Sequence, residues 1–126
     1  MAVTTKFPDS PRNGCWGDRP YAIIDLAGPA SYTQVTNGTA PAAPTGGQAV
    51  VPSNFGLVAG LEGIFVVGSS ISGTYTVQAF QATSYNQGSQ NATWLLRWIV
   101  AATGAEVAGA VNLSAEIVRL IGFGPY

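Results

Sequence analysis

Few groups in this chain could do acid–base or nucleophilic chemistry. There are six carboxylates (Asp9, Asp18, Asp25, Glu62, Glu106, Glu116), one thiol (Cys15) and no imidazole. Without histidine the commonest general base is missing, and so is the commonest zinc or iron ligand. Ser-His-Asp and Cys-His arrangements cannot be assembled. One cysteine without histidine also excludes thiolate and imidazole metal sites. Carboxylate catalysis needs two acids facing one cleft. None of the six sits in a recognisable motif, and Asp9 and Asp18 fall in a proline-bearing N-terminal stretch. No Asp-rich loop clusters oxygens for calcium, and Gly46-Gly47 and Gly122-Phe123-Gly124 lack the lysine and following helix of a phosphate loop. The residues therefore predict no catalysis, no metal and no cofactor. Arg97 and Arg119 interrupt apolar strands, where a charge must be paired or reach water, so Glu106 or Glu116 is expected to pair with them.

One aromatic constellation stands out. Trp94 and Trp98, four apart on a strand, share a face, and exposed they would make a sugar-stacking platform. Leu96 and Val100 lie on the same face, which favours a core position instead.

Composition narrows the elements that hold these groups. With 126 residues and 47% hydrophobic content the chain is one domain with an ordinary core. Charge is the departure: Asp, Glu, Lys and Arg total 9%, against about a quarter in typical domains. Between Leu26 and Leu96 only Glu62 is charged. Either the surface is neutral and tolerated, or much of it lies against other subunits, because interface cores are poor in Lys, Glu and Asp; the second reading is preferred. Net charge is −1, and the five basic residues are scattered, so no footprint for nucleic acid exists. The start, MAVTTKFPDS, does not read as a signal peptide, and no apolar run is long enough for a transmembrane helix. The expected place of synthesis is the cytoplasm.

Residues 1–20 read as an extended N-terminal arm. They carry Pro8, Pro11 and Pro20, five charges and an Asn13-Gly14 turn signal, and proline opposes both helix and inner strand. Phe7 and Trp16 give the arm apolar anchors for its own core or a neighbour's. Residues 21–126 read as an all-β domain, a single β-sandwich or barrel. Strands are expected at 21–26, more weakly at 31–36, then at 49–51, 55–59, 64–67 (a buried run), 74–81, 93–101 and 116–121. The last could instead be a short helix capped by Ser114, but its β-branched residues favour strand. Residues 39–47, TAPAAPTGG, form a long loop of the kind that often carries function. Several strands are apolar on both faces, which a lone two-layer sandwich does not need.

In kind, the chain resembles the small decoration, or cement, proteins of tailed-bacteriophage heads: a short chain without histidine or catalytic motif, a Pro-bearing arm and a low-charge β-domain. Over residues 55–124, GTYTVQAF, NATWLLRWIVAATGAEV and NLSAEIVRLIGFG are also similar to virion-associated proteins encoded in phage genomes. The resemblance implies a β-sandwich or barrel seated on the major capsid protein lattice at the virion surface, as a dimer or trimer, stabilising the shell against internal pressure. No binding residue transfers position by position. Phe7, Trp16 and Tyr21 are the expected anchors, and Pro41 and Pro44 mark the loop expected at an interface. The competing expectation is a carbohydrate- or receptor-binding β-module of a phage tail or fibre.

Overall fold

The computed structural model describes residues 5–6, 13–16, 19–36, 44–57, 60–81 and 93–124. Period-two alternation becomes strand wherever one face can be buried. Among the described residues eight strands result: β1 (Thr5–Lys6), β2 (Asn13–Trp16), β3 (Arg19–Ala27), β4 (Gln48–Val50), β5 (Gly63–Val67), β6 (Tyr75–Gln81), β7 (Trp94–Val100) and β8 (Ile117–Phe123). Every ladder is antiparallel. One sheet has the order β1-β3-β8-β5, with β2 also on β3; the other is β4-β7-β6. The fold is all-β, as expected.

The two sheets share one core. Ile24, Leu26, Val118 and Leu120 come from the first sheet, and Val50, Val77, Leu96 and Trp98 from the second. Burying a side chain of this size contributes about 1.5–3 kcal/mol each. One polar residue is buried between the layers. Gln48 on β4 accepts from the Trp98 indole N–H at 2.9 Å and donates to the Ala27 carbonyl on β3 at 2.8 Å. This amide ties the sheets together and leaves none of the three groups unsatisfied.

Several sequence expectations are corrected. The Asn13-Gly14 turn is strand instead: Asn13 pairs with Ala22 and Gly14 with Tyr21. Gly14 is there because the Tyr21 ring lies across it; a Cβ would come 3.1 Å from the Tyr21 hydroxyl. The division between residues 20 and 21 falls inside β3, and Thr5–Lys6 also pair with β3.

Residues 31–36 form no strand. Pro29 lacks an N–H, and the segment takes its bonds irregularly. Tyr32 exchanges main-chain bonds with Val111 and Ala110, while the Val35 N–H donates to the Glu106 carboxylate. Of the strand expected at 55–59, Phe55 instead ends a 3-10 turn (Pro52–Phe55) that Gly56 closes at φ 70°, and residues 58–59 lie outside the described residues. Pro52 starts the turn, and the buried Phe55 ring packs against Gly122. Finally, residues 64–67 are not wholly buried: Phe65 and Val67 point outward at 53% and 44% exposure. The strand expected at 116–121 is present as β8, which runs Ile117–Phe123.

Candidate functional site

Each of the four described carboxylates is engaged by a different partner. Asp25 holds Arg119 in a two-pronged pair, with Nε to Oδ1 at 2.7 Å and Nη2 to Oδ2 at 3.0 Å. Glu62 meets Arg19 at 2.8 Å on the surface. Glu106 accepts from the Tyr32 hydroxyl and from the Val35 N–H, both at 2.7 Å. Glu116 accepts from the Ser72 hydroxyl at 2.6 Å, a bond that lowers its pKa. The expected pairing of Glu106 or Glu116 with Arg97 or Arg119 is thus corrected. Arg119 takes the acid directly across the ladder on β3, and Arg97 lies over the Phe80 ring at 5.5 Å. Among the described residues no cluster of three potential metal ligands occurs, and no helix is long and apolar enough to cross a membrane.

Tyr32 is buried and its hydroxyl also accepts the Trp98 N–H at 3.1 Å. Burial, followed by the Glu106 contact, pushes its pKa well above the usual tyrosine range. The arrangement locks the crossing between the sheets. The core position favoured for Trp94 and Trp98 is the one they take: Trp98 is fully buried, Trp94 packs against the core, and its indole donates to the Leu61 carbonyl at 3.1 Å, so they form no sugar platform.

What remains available is a surface. Register places Tyr21, Ile23, Asp25 and Ala27 of β3 beside Phe123, Ile121, Arg119 and Ile117 of β8. On β5, Phe65 lies beside Ile121 and Val67 beside Arg119. These residues form the outer face of the first sheet, apolar but for the Asp25–Arg119 pair. Phe65 and Phe123 rings stack with centroids 5.7 Å apart, and Gly63 leaves the space the Phe123 ring occupies.

The apolar character is greatest where β5 turns toward β6. Of five exposed large hydrophobic side chains among the described residues, four lie here: Phe65, Val67, Ile71 and Ile117. Ile71 is the most exposed at 72%, yet its loop is held firmly. Gly73 N–H donates to the Ser70 carbonyl, Ser70 N–H to the Tyr75 carbonyl, and Ile71 N–H to the Ile117 carbonyl, at 2.8–2.9 Å. Ser72 is anchored on Glu116. An isoleucine in a turn tied down at Ser70, Ile71, Ser72 and Gly73 is presented to solvent rather than left there by fraying.

The residues singled out from sequence do not converge. Phe7 and Pro41 lie outside the described residues, and Trp16 closes β2 opposite Arg19. Tyr21 is half-buried on the outer face of the first sheet. Pro44 lies by the second sheet, beside Gln78, Phe80 and Arg97. The patch at Phe65, Val67, Ile71 and Ile117 was missed. Its signal was an isoleucine embedded in Gly-Ser-Ser-Ile-Ser-Gly, a turn composition with no structural need for a large apolar residue.

Comparison with protein-family models, with curated proteins and with solved structures finds no match.

Proposed function

We propose that the chain is a structural subunit, a capsid decoration protein that seats on the major capsid protein lattice of a virion. The observation that carries the reading is Ile71, held out by a rigid turn beside Phe65, Val67 and Ile117. Contiguous exposed apolar area on a chain so poor in charge is the mark of a surface that is covered in use. The resemblance of the sequence to cement proteins names the shell as the covering partner. Action consists of burying this face across neighbouring capsid subunits, with no bond made or broken.

Co-sedimentation with purified, undecorated shells tests the reading. The full chain should pellet with shells and raise the temperature at which they release their contents. Ile71→Asp, at an exposed site that costs the fold little, should weaken shell binding at least tenfold. Unchanged binding by Ile71→Asp, or no binding by the full chain, counts against it.

A further inference from the structure

The phase of the β3–β8 ladder determines what β5 offers to its other side. Gly28 N–H bonds to the Glu116 carbonyl in the same register. Antiparallel pairs alternate between bonded and non-bonded positions, so the even-numbered residues of β8 bond to β3 and the odd-numbered ones turn to β5. Two contacts agree with this: Glu62 N–H reaches the Phe123 carbonyl, and Ile71 N–H the Ile117 carbonyl. Gly63, Phe65 and Val67 therefore bond to β8. Ile64 and Val66 direct their main-chain N–H and C=O the opposite way, where no described strand lies. Two donors and two acceptors are thus set out at the pitch of a strand, and what complements them is another strand.

The two edges of this sheet are treated differently. The outer strand β1 carries Lys6, and charge and proline are what ordinarily keep an edge from pairing. The β5 edge has none of these. Gly63–Val67 holds no charge and no proline, and its register against β8 runs without a bulge from Gly63↔Phe123 to Val67↔Arg119. The exposed apolar side chains stand next to this edge.

We infer that β5 pairs antiparallel with β5 of a second copy across a two-fold axis at Phe65, joining the first sheets of two chains into one. Centred there, Ile64 meets Val66 of the other copy and Val66 meets Ile64. Both are bonded positions, and they supply four main-chain bonds. Phe65 faces its counterpart at the closely spaced, non-bonded position on the outer face. An uncharged strand meets its own copy without like-charge repulsion, and a net charge of −1 per chain leaves little long-range opposition. The inference rests on the assembly reading above and names a second copy of the chain as the first partner of that surface.

Size-exclusion chromatography with light scattering on the full chain, over a range of concentrations, tests it together with two variants. Val66→Pro removes a donor that β8 does not use, and edge strands tolerate proline at such a position. Val67→Lys places a charge on an exposed side chain beside the axis. The unaltered chain should run at twice its 12.9 kDa mass, and both variants at the single mass with unchanged circular dichroism. If Val66→Pro unfolds, Val67→Lys alone decides. A monomeric unaltered chain, or a dimer persisting in a folded variant, overturns the pairing. Shell binding by the same samples separates the two claims. A monomer that still binds shells overturns only the pairing, whereas a β5-paired dimer that binds none overturns only the decoration reading.

Discussion

Replacing Gln48 by methionine probes how the two sheets are joined. The side chains are nearly equal in size, so Gln48→Met leaves packing in place and removes both hydrogen bonds of the amide. The Trp98 indole N–H and the Ala27 carbonyl then lose their partner in a site where Gln48 and Trp98 are at most 1% exposed. Each buried group left unsatisfied costs about 1–3 kcal/mol. Allowing for the easier burial of a thioether than an amide, the net loss is about 2–4 kcal/mol. That is a large part of the ~5–15 kcal/mol by which domains are stable. Urea unfolding followed by tryptophan fluorescence and by far-ultraviolet dichroism reads the loss as a lower midpoint at unchanged slope. The decisive comparison is a double-mutant cycle with Trp98→Phe. In the Gln48→Met background the indole N–H is already an orphan, so deleting it should cost less than it does in the original chain, by about 1 kcal/mol or more. Additive costs, or a loss under about 1 kcal/mol for Gln48→Met, would refute the claim that this amide satisfies both layers.

Two further outcomes follow from the same core. Gly122→Ala puts a Cβ 2.6 Å from the Phe55 ring and should destabilise the fold by about 1–3 kcal/mol; Phe55→Leu in the same chain should recover part of the loss in thermal unfolding. Tyr32 has its pKa raised above the ordinary 10.0, first by burial and then by the Glu106 contact. The folded state therefore keeps a proton that the unfolded chain releases, and stability should be constant below pH 10 in this respect and fall as pH rises beyond it. Denaturation midpoints from pH 9 to 11 should show that fall, and Tyr32→Phe should flatten it.

The long alternating segments were legible because period two leaves a clear trace. Trp94, Leu96, Trp98 and Val100 turn to one side of β7 as their spacing requires, and the β-branched Ile117, Val118 and Ile121 favour strand over helix in β8. Residues 31–36 looked like strand locally but lack a regular ladder. The partners that decide their path, Glu106 and Val111, lie more than seventy positions away. The same distance hid the pairing of Arg119, which takes Asp25 from 94 residues back. Ile64, Phe65, Val66 and Val67 read as a buried run because composition cannot say that a strand stands at the edge of its sheet. Apolar residues there alternate between core and solvent, and the candidate surface follows from sheet order, which no local pattern encodes. The low charge did anticipate that some flank would be apolar, without locating it.

The neighbours in the first sheet are remote along the chain: Tyr21 lies opposite Phe123, and Ala27 opposite Ile117. The central ladder cannot begin to form during synthesis until the last strand has left the ribosome, so β3 must wait with its apolar side uncovered. Closing so wide a loop is entropically slow. Refolding in milliseconds to seconds, rather than microseconds, is the regime such a topology implies.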